Sequence, residues 1–96
     1  MSYIESQKRV ISQALQVVTA IRLTMEQQGV RAANKTIEQQ QDDFEAWCKE
    51  NVTNVNWHAI AYTLNQAKVR RSKADMLKGL DETEAELSRL FKLASN

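Results

Sequence analysis

Ninety-six residues with no proline, two glycines, one cysteine and a net charge of +1 leave room for one domain, spanning 1–96, with a thin core. A composition of 43% hydrophobic and 26% charged residues excludes a disordered tail, and a lone Cys48 excludes an internal disulfide. No apolar run approaches the roughly 20 residues of a membrane span, and the polar start from Met1 to Arg9 is unlike a secretory leader, so the expected location is the reducing cytoplasm. Strands need frequent turns, and this chain has few residues to make them. The expected fold is therefore all-α: a small antiparallel bundle of three long helices and a short C-terminal one.

The first helix is expected from about Tyr3 to Gln28. Ile4, Ile11, Val18 and Met25 recur every seven residues, and Tyr3, Val10, Ala14, Val17 and Ile21 widen the stripe enough to meet two neighbours. Glu5, Arg9, Ser12, Gln16 and Gln27 form the opposite, polar face, on which Leu23 is an apolar exception. Gly29 follows, where a helix end commonly takes a left-handed residue.

A second helix, from Ala32 or Lys35 to Lys49, carries Ala33, Ile37, Phe44 and Trp47 at helical spacing, with Cys48 beside them. Phe44 and Trp47 are expected to supply most of its burial. The stretch from Asn51 to Asn56 is the clearest connection in the chain, because its asparagine side chains compete for backbone hydrogen bonds. Thr53, Asn54 and Asn56 are all candidate N-caps for the next helix.

That third helix starts near Val55 or Trp57 and is expected to reach at least Leu77. One face holds Trp57, Ile60, Ala61, Leu64 and Ala67; nearly opposite lie Tyr62, Val69 and Met76, again at spacing seven. Two readings compete at Gly79. Asp81-x-x-Glu84 has the spacing of a capping box and favours a break or kink with a new short helix from Glu82. The continuing stripe of Leu77, Leu80, Leu87 and Phe91 favours one unbroken helix, at a cost of about 1 kcal/mol for the glycine.

Chemistry-bearing residues are sparse. Cys48 and His58 are the single members of their types, and a nucleophilic pair needs both within hydrogen-bonding reach and a third group to orient the imidazole. No second Cys or His exists to begin a soft-metal site, and no Glu-x-x-His pair marks a di-metal bundle. Gly29 and Gly79 stand alone, so there is no phosphate loop. Asp42, Asp43 and Glu45 read as a solvated acidic face. No enzyme, cofactor or metal is expected.

Charge is unevenly spread, with five acids between Glu38 and Glu50 and five bases between Gln66 and Lys78. The stretch from Asn56 to Asn65 followed by Lys68, Arg70, Arg71 and Lys73 superficially suggests a helix-turn-helix. Its spacing fails: with Ala61 at the small-residue position a core position falls on Arg71, and with Ala59 there Thr63 occupies the turn where Gly is usual. A continuous helix with a basic side is the better reading, and such a side can still track phosphates without a reading motif.

Surplus apolar surface is the remaining signal. Leu23, Tyr62, Val69 and Met76 have no obvious place inside a three-helix core, unless the C-terminal segment with Leu87, Leu90, Phe91 and Leu93 folds back over them. Left open, they form a contact surface for another protein or for a second copy in a homodimer. The expected function is a non-enzymatic protein-interaction module: an adaptor, regulator or inhibitor of a larger machine. The alternative is a nucleic-acid-associated protein that holds the phosphate backbone through Lys68, Arg70, Arg71 and Lys73.

Overall fold

The computed structural model describes residues 2–53, 55–65 and 72–95. Ser2 opens α1 (Tyr3–Gln28), its hydroxyl accepting from the Glu5 N–H at 3.2 Å and so satisfying one of the donors every helix start leaves unpaired. The span is the one expected. A single residue, Gly29, then turns the chain. Its N–H donates to the Met25 carbonyl at 2.9 Å and its own carbonyl accepts from Ala33 at 3.1 Å, so it ends α1 and begins α2 (Val30–Asn51) at once. Its φ of 94° and ψ of 175° lie in a region essentially restricted to glycine. This double role is why α2 starts ahead of both expected positions.

Asn51 closes α2 by donating its amide to the Trp47 carbonyl at 2.9 Å, and the Val52 N–H caps Cys48 at 2.9 Å. Asn54, one of the candidate caps for the next helix, lies outside the described residues; Asn56 acts as one, its Oδ1 accepting from the His58 N–H at 3.1 Å, where α3 (His58–Asn65) begins.

The next boundary corrects the expectation of a helix running on to Leu77. Ser72 is a fresh helix start: its hydroxyl accepts from the Asp75 N–H at 3.2 Å and its carbonyl from Met76 at 3.0 Å. From there α4 (Lys73–Ser95) runs through Gly79 without interruption. The bundle of three long helices and one short one is as expected, but the short helix is the third and not the last. Asp81 and Glu84, which read as a capping box, do something else. Both lie on the surface of α4 and receive the Arg22 guanidinium of α1, at 2.9 Å and 2.7 Å. Beneath them the buried Thr83 hydroxyl donates back to the Gly79 carbonyl at 2.8 Å.

Packing follows from these turns. Arg9 of α1 lies over the Trp47 ring of α2 at 5.3 Å, so the two helices run back alongside each other from Gly29. Arg22 faces Asp81 and Glu84 while Lys8 stands 5.8 Å over the Phe91 ring, which makes α4 antiparallel to α1. The broad stripe of α1 meets both long partners; α2 and α4 barely touch, and α3 packs against all three. Val10, Ile11, Ala14, Val18, Ile21 and Met25 are buried against Ile37, Phe44 and Cys48 of α2, Ile60 and Leu64 of α3, and Met76, Leu80 and Leu87 of α4. Trp47, expected in the core beside Phe44, is only half-buried at its edge, and Cys48 takes the inner position. No helix among the described residues is long and apolar enough to cross a membrane.

Candidate functional site

The four apolar residues expected to form one contact stripe are not brought together. Met76 is completely buried. Because α4 starts afresh at Ser72, the face bearing Met76 is set by α4's own packing, and it turns inward with Leu80 and Leu87 onto α1. Leu23 is exposed on α1 and Tyr62 is exposed on α3. Val69 lies outside the described residues, as do Lys68, Arg70 and Arg71 of the expected basic side. Lys73 is exposed at the first position of α4. A continuous basic-sided helix from 57 to 78 is therefore ruled out at Ser72.

Tyr62 stands in a more definite setting than a stripe. It is 70% exposed, and with Thr63 it forms one wall of a groove of about 270 Å³ whose other wall is α4 at Gly79, Glu82, Thr83 and Glu86. A neighbouring recess of about 400 Å³, lined by Asp75, Lys78, Gly79 and Glu82, shares two of those residues. The pair forms one furrow along α4. They meet at Gly79, which is itself buried, and at the exposed Glu82.

The furrow's polar groups are unequally committed. Thr63 and Thr83 spend their hydroxyl protons on the backbone, donating to Ala59 at 3.1 Å and Gly79 at 2.8 Å. Glu86 holds Arg89 through two hydrogen bonds of 2.6 Å and 3.0 Å, and the guanidinium keeps its carboxyl below the usual carboxylate range. Asp75, Lys78 and Glu82 are exposed, and none enters an ion pair among the described residues.

Two other surfaces escaped the sequence reading. The polar face of α1, at Glu5, Lys8, Arg9, Ser12, Gln13 and Gln16, is the floor of a trough of about 490 Å³ with aromatic walls at Trp47 and Phe91. At the end of the bundle where α1 begins and α4 finishes, Tyr3, Ile4 and Leu93 are more than half exposed. Helical periodicity placed Ile4 in the core stripe, yet it is 51% exposed.

Cys48 is fully buried, and burial first, with the Glu45 charge second, pushes its thiol up to about 11. A thiolate nucleophile needs the opposite shift. His58 is exposed, its ring 4.0 Å from that of Trp57. Among the described residues no group of three or more His, Cys, Asp or Glu side chains is placed to hold a metal ion. Asp42 and Asp43 are exposed on α2, with the Gln39 amide donating to Asp43 at 2.9 Å. Compared with known protein families, characterised proteins and solved structures, the chain matches none.

Proposed function

We propose that this four-helix bundle is a non-enzymatic protein-interaction module, an adaptor, regulator or inhibitor of a larger machine, that engages its partner through Tyr62 and the α3–α4 furrow. The observation that carries the reading is Tyr62 itself. A large amphipathic ring stands 70% exposed on the wall of a groove, on a helix that buries Ile60, Ala61 and Leu64. Tyrosine contributes contact area at little entropic cost and is enriched where protein surfaces meet. The Cys48 thiol, buried and pushed up to about 11, is unsuited to act as a thiolate nucleophile.

The test uses the purified, tagged full chain to capture partners from nuclease-treated host lysate, followed by direct binding measurements on each purified candidate. Tyr62→Glu is expected to weaken a genuine partner at least tenfold while leaving the helical signal and unfolding midpoint of the module unchanged. A folded Tyr62→Glu protein that retains every interaction at full affinity would refute the assignment of the surface. The nucleic-acid alternative predicts affinity for a simple duplex that falls steeply between low and physiological salt and drops again in Lys73→Gln. Salt-insensitive binding, or none at low ionic strength, removes it.

A further inference from the structure

We infer that the α3–α4 furrow receives an arginine side chain from a basic segment of its partner. The guanidinium lies flat on the Tyr62 ring with its N–H edge turned to Glu82; the inference rests on the reading of this furrow as the partner-binding surface. The hydrogen-bonding inventory of the Tyr62 groove carries it. Thr63 and Thr83 have given their hydroxyl protons to the Ala59 and Gly79 carbonyls, so each offers only lone pairs to whatever enters. The charged residues of the lining are Glu82 and Glu86, and a carboxylate accepts only. The backbone N–H groups of both walls lie within α3 and α4, where they serve the helices' own hydrogen bonds. Apart from the Tyr62 hydroxyl, the groove therefore presents acceptors and suits an occupant that brings donors.

Charge narrows the choice to a cation. Glu82 and Glu86 stand one turn apart on α4, about 6 Å along its axis. Glu86 is already gripped by Arg89 through two hydrogen bonds, whereas Glu82 is exposed and enters no ion pair among the described residues. Glu82 is thus the carboxylate left to meet an incoming base, and the Tyr62 ring faces it from the other wall. Lys78, one turn before Glu82, lines the neighbouring recess with Asp75. Its ammonium repels a cation there, which puts the docked group on the Glu86 side of Glu82.

The ring selects arginine over lysine. A planar guanidinium stacks on an aromatic face and keeps its in-plane N–H groups for a carboxylate, which a compact ammonium cannot do at once. The protein's own contacts use both halves of this arrangement: Arg9 lies over Trp47 at 5.3 Å, and Arg22 forks to Asp81 and Glu84 at 2.9 Å and 2.7 Å. Size agrees. The groove holds about 270 Å³, below the roughly 300 Å³ at which small-molecule pockets begin, and so suits a side chain of a docked segment.

Nuclear magnetic resonance titration of the isotope-labelled full chain tests this, with blocked peptides of equal length in which alanine alternates with arginine, lysine or glutamate. The arginine peptide is expected to move the backbone signals of Tyr62, Thr63, Glu82 and Glu86 while leaving those of the exposed α2 acids Glu38, Asp42 and Asp43 in place. The lysine peptide should bind several-fold more weakly, and the glutamate peptide should leave the furrow untouched. Tyr62→Ala, which removes the ring without adding a charge, should weaken the arginine peptide about fivefold; so should Glu82→Gln, whereas Tyr62→Phe should bind as the parent does. Lys78→Gln should tighten binding. An arginine peptide that fails to bind, moves the α2 acids as strongly as the furrow, or ignores Tyr62→Ala overturns the inference, as does a preference for glutamate. The broader reading fails separately. A captured partner weakened by Tyr62→Ala but indifferent to Glu82→Gln keeps the furrow and removes the arginine; a partner indifferent to both removes the furrow.

Discussion

α3 and α4 both begin at a side-chain cap, Asn56 in one and Ser72 in the other, yet they end with different relations to water. α4 spans 23 residues and turns one continuous stripe, Met76, Leu80, Thr83 and Leu87, onto α1. α3 spans eight residues, buries Ile60, Ala61 and Leu64, and carries Tyr62 outward. The difference lies in the helix start between them. Tyr62 and Met76 are two heptads apart and would share a face on one unbroken helix. A new N-cap at Ser72 releases α4 to choose its own rotation, and the apolar arc of α1 captures Met76. Heptad spacing is a statement about one helix only, and it lapses wherever the helix is interrupted.

The largest effect that sharpens this contrast is on stability. Leu80→Ala should destabilise the fold by about 3 kcal/mol, since it removes a fully buried side chain from the α1–α4 seam. Tyr62→Ala should stay within about 0.5 kcal/mol of the parent. Urea unfolding of both variants compares them, and similar losses would mean that Tyr62 is packed as firmly as the α4 stripe.

The turn at Gly29 comes next. A Cβ there meets nothing within 4 Å, so Gly29→Ala carries no clash and exposes the backbone cost alone. With φ at 94° and ψ at 175°, that cost should be about 1–3 kcal/mol. It would appear as a lower midpoint with an unchanged denaturant slope. No loss would show that the α1–α2 connection has other conformations open to it.

Smaller still is the Arg22 fork. Its carboxylate partners are more than half exposed, so Arg22→Gln should cost about 1 kcal/mol, and less as salt is added. A salt-independent loss would point to the packing of the arginine stem against the seam in place of its charge.

The smallest effect is confined to alkaline pH. The folded Cys48 thiol sits at about 11 against an ordinary 9.0. Above the lower value the unfolded thiol gives up its proton while the folded one keeps it, so deprotonation favours the unfolded chain. The contribution is whole below pH 9.0 and is lost as pH rises toward about 11. Cys48→Ala should show a shallower decline in midpoint across that window than the parent, and an equally steep decline would place the thiol's ordinary value in the folded protein too.

Much of this architecture was legible in the residues. The 26 residues of α1 were bounded correctly from a seven-residue repeat and a glycine, because a long amphipathic helix ending in Gly leaves little choice. Asn56 could be named as a candidate cap because its side chain acts locally. Gly79 misled for an instructive reason. A mid-helix glycine costs about 1 kcal/mol, and burial of Met76, Leu80 and Leu87 on either side of it outweighs that several times over. Asp81 and Glu84 misled similarly: the spacing that makes a capping box also makes two carboxylates neighbours on a helix surface, and only the position of Arg22, some sixty residues earlier in the chain, decides between the two.

What the sequence determined by itself was the helical class, the extent of α1, the turn at Gly29 and the inward stripe of α1; the cap at Ser72, although local, was not read from it. What only the tertiary structure decided was which faces meet. It buried Met76, set Tyr62 on the wall of a furrow lined by Gly79, and left Ile4, in line with a buried stripe, half exposed. The physical reason is that local hydrogen bonding and periodicity fix a helix and its apolar side, while the rotation and reach of each helix are set by residues far away along the chain.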